Sequence, residues 1–231
     1  MAGGGAPTGA RSGIRVLAGV NGAGKSSVVG ENVRARGGVY FNPDEATRSI
    51  LAANPGSSLA EANSAAWNQG RRLLQQAITN RLNYTFETTL GGTTIVGMLG
   101  EAVDVGLQVH VTYVGLGSPE LHVARVRARV ARGGHDIPEA KIRERYVNSR
   151  ENLVKILPRL SSLDVYDNSA ETPPQQARPE LRPLLRMEDG KIVQLVPPAS
   201  IPDWAKPIIM AAMKNELGPT EPPPGMGRPR C

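Results

Sequence analysis

Several residues of this 231-residue chain have types and spacings that could do chemistry together. Gly19-Val20-Asn21-Gly22-Ala23-Gly24-Lys25-Ser26 fits the pattern GxxxxGK[ST] at every fixed position. Glycines let a backbone curl until successive N–H groups converge on one phosphate. A helix opening at the end of the loop would add the positive end of its dipole. Lys25 would then reach the β- and γ-phosphates of ATP, and the Ser26 hydroxyl would bind Mg²⁺. The candidate nucleotide contacts are therefore Gly19, Asn21, Gly22, Ala23, Gly24, Lys25, Ser26 and Ser27, with Ser26 also the candidate metal ligand.

Two carboxylates and a set of arginines could complete a phosphoryl-transfer site. Asp44 follows Asn42-Pro43, and proline cannot continue a central strand, so Asp44 falls at the C-terminal end of a short strand, Val39-Tyr40-Phe41. Ligands bind at that edge of open parallel sheets, so Asp44 and the glycine-rich loop should face one crevice. Position alone fits equally well with Asp44 capping the helix that follows. Glu87 lies near the end of the strand Tyr84-Thr85-Phe86-Glu87-Thr88-Thr89-Leu90, where it needs a cation, a hydroxyl or water, or else an exposed sheet edge. Arg125, Arg129 and Arg132 fall together, opposite the stripe Val123, Val126 and Val130, while Arg127 lies beside the stripe and would snorkel. The plain reading is a solvated basic face. However, that helix runs into Arg132-Gly133-Gly134-His135-Asp136, and the next helix carries Arg143, Arg145 and Arg150. Two arginine-bearing helices joined by a glycine turn read as a mobile lid that brings cations to a transferring phosphoryl group.

The elements that must position these residues follow from periodicity. Ile14-Arg15-Val16-Leu17-Ala18 reads as the strand before the loop, and Ser26-Ser27-Val28-Val29 opens a helix. Ser58 and Glu61 make a capping box for a long helix. Its stripe of Ala66, Trp67, Gly70, Leu73, Leu74, Ala77 and Ile78 is expected to be core, Trp67 included. A helix is expected over 93–104, then a strand over 107–114 in which His110 is a structural histidine. Ser118-Pro119-Glu120 starts the first lid helix. Leu163-Asp164-Val165-Tyr166-Asp167 reads as a fifth strand, residues 186–193 as a hairpin, and 201–217 as a last helix with Trp204 packed on the body. The expected organisation is a disordered segment over 1–13, one domain over 14–217 with a small C-terminal hairpin and helix from about 180, and a flexible Pro/Gly-rich tail over 218–231.

Composition bounds the function. The formal net charge of +6 favours anionic partners, but aromatic residues are 4% of the chain, few for a protein that stacks single-stranded nucleic acid. The lone cysteine, Cys231, excludes an internal disulfide and fits a reducing, cytoplasmic setting. The N-terminal stretch lacks the apolar run of a signal peptide, and no segment is long enough to span a membrane. There is no zinc-ligand spacing and no internal repeat.

The phosphate loop, Asn42-Pro43-Asp44-Glu45, Glu87-Thr88-Thr89-Leu90, Arg132-Gly133-Gly134-His135-Asp136-Ile137-Pro138-Glu139 with Arg145-Tyr146 and Asn152-Leu153, and Val165-Tyr166-Asp167-Asn168-Ser169 occur in this order. Together they resemble the zeta toxin family of P-loop kinases over roughly residues 14–170; beyond that the likeness is thin. The resemblance implies an α/β P-loop kinase fold of three layers, with a five-stranded, mostly parallel sheet and a helical arginine-rich lid. It implies ATP-dependent phosphorylation of a nucleotide-sugar, UDP-N-acetylglucosamine at its 3′-hydroxyl, with Mg²⁺. By the same resemblance Asp44 is the base, Glu87 and Thr89 contact the nucleotide-sugar, Arg129 and Arg145 contact the ATP phosphates, and an antitoxin covers the ATP site. Pro43 departs from a position that is polar in some members, which bears on the sugar accepted. Two other readings stay open: a P-loop kinase for a nucleoside, metabolite or nucleic-acid end, and a nucleotide-dependent switch. The carboxylate at Asp44 argues against the switch, which needs no base.

Overall fold

The computed structural model describes residues 12–35, 39–134, 136–170 and 180–218. The segment over 1–11, the Gly37-Gly38 break, His135 and the tail over 219–231 lie outside the described residues. Six strands form one sheet: β1 (Gly13–Ala18), β2 (Tyr84–Thr88), β3 (Gln108–Gly115), β4 (Ser162–Asp167), β5 (Arg182–Glu188) and β6 (Lys191–Leu195). Their order is β2-β1-β3-β4-β5-β6. The first four run parallel, and β5 and β6 add antiparallel. Ile14, Val16, Leu17 and Ala18 of β1 are all buried, as a parallel strand covered on both faces requires.

The strand count differs from the five expected. Val39-Tyr40-Phe41 is not a strand. Only Phe41 bridges the sheet, in parallel with Phe86, because Pro43 opens a helix immediately afterwards. The C-terminal hairpin extends the sheet: β5 covers the β4 edge, burying Leu184, Leu185 and Met187 in the main core. β1 also starts at Gly13, whose N–H donates to Asn83 Oδ1 at 2.8 Å.

The helices are α1 (Glu31–Ala35, continuing a π-helical turn over Lys25–Gly30), α2 (Pro43–Ala53), α3 (Leu59–Asn80), α4 (Thr93–Asp104), α5 (Pro119–Val130), α6 (Glu139–Ile156) and α7 (Lys206–Leu217). The capping box at Ser58 and Glu61 is present, and Ser118 caps α5. Leu74, Ala77 and Ile78 of α3, Leu99 of α4, Leu153 of α6 and Ile208 of α7 close over the apolar strand residues. Trp204 is buried, and its indole N–H donates to Asp167 Oδ1 at 3.1 Å. His110 pairs with the Ser162 hydroxyl at 2.9 Å. A second, small apolar cluster joins Val20 of the loop to Val123, Val126 and Ile142 of α5 and α6, so the arginine-rich helices pack onto the loop itself.

Trp67 departs from its expected place in the core: it is 48% exposed. The buried row of α3 runs through Ala62, Ala66 and Leu74. Asn63, Trp67 and Arg71 form the neighbouring row, rotated about 100° around the helix, and that row faces a cleft. No helix among the described residues is long and apolar enough to cross a membrane.

Candidate active site

The cleft, of about 1250 Å³, opens at the C-terminal ends of β1 and β2 and is lined by the loop, α2, α3, α5 and α6. The loop's shape demands its glycines. Gly19 has φ +138°, and a Cβ there would lie 2.2 Å from the Val114 carbonyl oxygen. Gly24 has φ +93°, and a Cβ there would lie 2.5 Å from Asn168 Nδ2, which donates to the Ala23 carbonyl at 2.9 Å. These are left-handed backbone positions that a side chain would strain.

Lys25 opens the helical stretch and is 6% exposed. Its Nζ donates to the Val20 carbonyl at 3.3 Å and lies 3.5 Å from Glu87 Oε1. Ser26 Oγ donates to Glu87 Oε2 at 2.7 Å. Asn42 Nδ2 reaches Ser26 Oγ at 3.3 Å and Glu87 Oε2 at 3.4 Å. The same Asn42 caps α2, its Oδ1 accepting from the N–H groups of Asp44 and Glu45 at 2.9 and 3.4 Å. The cap is thus Asn42 and not Asp44, and one side chain locks α2 to the loop. Glu87 is buried against Lys25 and Ser26, at the phosphate end of the cleft rather than on an exposed edge.

Asp44 sits in the first turn of α2, and its Oδ2 accepts from Arg129 Nη1 of α5 at 3.1 Å. Each side chain is about one-third exposed (33% and 34%). Arg145 of α6 donates to Asn21 Oδ1 at 2.8 Å, and burial lowers its pKa from the usual guanidinium range. The Asn21 carbonyl is held by His122 Nδ1 at 2.9 Å. Burial pushes the His122 imidazole down to about 4, outweighing the opposing pull of the Asn21 carbonyl, with Lys25 and nearby arginines lowering it further. His122 is therefore neutral near pH 7 and donates from Nδ1, since a carbonyl only accepts. Loop residue Asn21 is tied by its backbone to α5 and by its side chain to α6.

Thr89 lines the cleft, and its Oγ1 accepts from Gly91 N–H at 3.4 Å. The next residue, Leu90, has φ 53°, unusual for leucine, and its carbonyl is held by Asn152 Nδ2 at 2.9 Å. Not every lid arginine turns inward. Arg127 and Arg143 pair with Glu139 on the outside, and Arg143 also pairs with Glu120. Arg150 stacks over the Tyr146 ring at 4.0 Å. Arg125 donates to the Ala170 carbonyl at 3.2 Å and lines the cleft beside Arg129 and Arg145.

The structure thus gathers Lys25, Ser26, Asp44, Glu87, Thr89, Arg129 and Arg145 around one cleft. Sequence reasoning missed Asn42, His122, Asn152 and Asn168, which hold the loop and the β2 end in shape. An Asn-Pro pair before a helix signals the Asn42 cap. His122 lies in line with Val126, four residues on, which marks it as inward-facing.

Residues 6–173 match the family model described as Zeta toxin. An uncharacterized protein of Haemophilus influenzae is 33% identical over 128 residues, spanning 55% of this chain and 88% of its own length. A chain of the AvrRxo1-ORF1:-ORF2 crystal structure with ATP superimposes with a TM-score of 0.64 at 15% identity, covering 93% of this chain and 67% of its own. A chain from the PezAT chromosomal toxin-antitoxin system of Streptococcus pneumoniae does so with a TM-score of 0.50 at 14% identity, covering 68% and 67%. The solved structures share the fold, the family match spans most of the sequence, and this chain therefore belongs to the zeta toxin family, with a P-loop kinase fold.

Proposed function

We propose that this protein is an ATP-dependent kinase that phosphorylates a hydroxyl of a nucleotide-sugar, with the 3′-hydroxyl of UDP-N-acetylglucosamine the first to test. The observation that carries the reading is Asp44 on the same cleft as the phosphate loop, facing Arg129. A nucleotide-dependent switch would not need that carboxylate.

The residues fit a nucleoside triphosphate. Lys25 is buried beside a single carboxylate, and the loop backbone curls through left-handed glycines. Among the described residues no group of three or more His, Cys, Asp or Glu could hold a metal by itself. Mg²⁺ would bind at the Ser26 hydroxyl together with the nucleotide phosphates, and would neutralise charge between the β- and γ-phosphates. Glu87 orients that hydroxyl. For Glu87 to contact the acceptor it would have to leave Lys25 and Ser26, so Thr89 is the better acceptor contact. Asp44 takes the proton from the attacking hydroxyl. The acceptor oxygen bonds to the γ-phosphorus while the bond to the bridging oxygen breaks, and ADP leaves with that electron pair. Lys25, Arg129 and Arg145 meet the charge on the transferring group.

Two structural neighbours come from two-protein systems, and PezAT is a toxin-antitoxin system. On that ground we propose an antitoxin that covers the cleft, and a site of action in the cytoplasm, where ATP is supplied. The test is phosphate transfer from ATP and Mg²⁺ to a panel of UDP-sugars, with Asp44→Asn as control. Transfer to UDP-N-acetylglucosamine that Asp44→Asn abolishes supports both the acceptor and the base. Transfer only to other hydroxyl compounds keeps the kinase and rejects the acceptor. ATP binding with no transfer to any acceptor rejects the kinase reading.

A further inference from the structure

The wall formed by α2 and α3 carries chemistry that the loop, Asp44 and the lid leave unused. The chain has two tryptophans. Trp204 is 3% exposed, whereas Trp67 is 48% exposed and lines the cleft. Single exposed apolar residues are ordinary on convex surfaces. This one stands in a concave site with a cation against it. Arg71, one turn further along α3, places its guanidinium carbon 5.7 Å from the centre of the Trp67 ring and lines the same cleft. It is partly buried and, among the described residues, has no ion pair or hydrogen bond. Gly70 sets the wall's depth: a Cβ there would come within 2.6 Å of the Phe41 ring, so α3 lies directly on Phe41.

The position of this wall assigns it to one substrate. Phe41 bridges β2, and Asp44 follows it, so the wall lies on the β2 side of β1. Asn168 follows β4 on the opposite side and holds the loop's Ala23 carbonyl. Asp44, Trp67, Asn168 and Arg125 all line the cleft, so an acceptor whose hydroxyl reaches Asp44 would have the Trp67 wall on its side and leave the Asn168 and Arg125 side to the donor's nucleoside. This step rests on the kinase reading above.

We propose that Trp67 and Arg71 form an acceptor subsite that recognises a planar aromatic ring bearing an anionic group, the base and phosphates of a nucleotide, and so selects nucleotide-type acceptors over neutral sugars. The indole face stacks a base. The guanidinium meets phosphate oxygens in a fork geometry. A neutral sugar could lie on the indole but would leave the partly buried cation without a counter-charge.

Two readouts test this with the donor site filled by ADP and Mg²⁺. The first is tryptophan fluorescence during titration with UMP, CMP, AMP, GMP, UDP-N-acetylglucosamine and free N-acetylglucosamine. At least one nucleotide should quench saturably in the wild type, free N-acetylglucosamine should not, and Trp67→Phe should remove the response, leaving only buried Trp204 to report. The second is transfer kinetics with any acceptor found. Trp67→Ala and Arg71→Gln should each raise the acceptor KM about ten- to a hundredfold, keep kcat within about threefold and leave the KM for ATP unchanged. An unchanged acceptor KM in both variants overturns the subsite, as does quenching by N-acetylglucosamine equal to that by nucleotides. If no acceptor is phosphorylated, the kinase reading fails and fluorescence alone decides the subsite: no saturable quench by any nucleotide overturns it.

Discussion

Replacing Glu87 by glutamine should remove one charge and little else. A glutamine carbonyl can still accept from the Ser26 hydroxyl, which lies 2.7 Å from the carboxylate in the wild type. What changes is the setting of Lys25. Lys25 is 6% exposed; its ammonium lies 3.5 Å from Glu87 and, among the described residues, otherwise reaches only the Val20 carbonyl, at 3.3 Å. Removing one partner of a buried pair costs about 3–5 kcal/mol, because the other charge stays desolvated. Lys25 lines an open cleft, so the lower end is taken, about 3 kcal/mol. In a chain of this size about 1 kcal/mol moves Tm by about 2–4 °C, so ligand-free Glu87→Gln should melt about 6–12 °C below wild type. Phosphate restores the missing counter-charge. ADP without Mg²⁺, followed by circular dichroism melts, should therefore stabilise the variant more than the wild type. The double variant Lys25→Met with Glu87→Gln should recover part of the loss, since no buried charge is left alone. A ligand-free variant melting within about 2 °C of wild type would refute the reasoning, as would equal stabilisation of both proteins by ADP.

Other outcomes follow from the same geometry. Gly19→Ala should destabilise by more than about 2 kcal/mol, since its Cβ would lie 2.2 Å from a backbone oxygen at φ +138°; urea unfolding reads this, with Gly97→Ala, where nothing lies within 4 Å, as a tolerated control. His122 titrates at about 4 when folded against 6.5 ordinarily, so the unfolded chain binds more protons between those values. Its contribution is complete above the higher value and is lost as pH falls toward the lower one. Between about pH 7 and 5 roughly 2 kcal/mol should disappear in wild type, and His122→Gln should lack that slope. On the kinase reading, Lys25→Ala should damage kcat/KM more than Asp44→Asn, whose loss should be about a hundred- to ten-thousandfold. Calorimetry should find ATP affinity in Asp44→Asn equal to or slightly above wild type, because Arg129 no longer surrenders an aspartate to reach phosphate.

The loop was legible because phosphate binding constrains the backbone itself, and a constrained backbone writes its glycines into the sequence at fixed spacing. The ends of α4 and the capping box of α3 were legible for a similar reason: they are settled within a few residues. What escaped depends on partners far along the chain. Trp67 sits one residue from the buried Ala66, and only the placement of α3 over Phe41 turns one row to the core and the next to the cleft. Val39-Tyr40-Phe41 has strand composition, but Val39 is 90% exposed and a helix begins at Pro43, so one bridge forms where a strand was expected. Glu87 could have met any of several partners; buried Lys25 and its neighbour Ser26 claim it, 62 and 61 residues away in sequence. Asn42 does two jobs, capping α2 and bonding Ser26, and only the first has a local signature.

Two of the ion pairs of the cleft, Lys25–Glu87 and Asp44–Arg129, differ in a way that suits different roles. Lys25 and Glu87 are both nearly buried, so the pair resists loss of either member and holds the loop's lysine in place before a nucleotide arrives. Asp44 and Arg129 are each about one-third exposed (33% and 34%), and pairs of that kind contribute about 0–1 kcal/mol. So weak a pair is not a lock. On the kinase reading, a triphosphate offering several charged oxygens would compete with the single Asp44 carboxylate for Arg129, both contacts being charge-assisted. Binding of ATP would then draw the arginine toward the group to be transferred and leave Asp44 facing the acceptor side. If Asp44 is the base, the contact that neutralises it at rest would be exchanged for one that the transfer needs, while the packing of α5 on Val20 holds that helix against the loop.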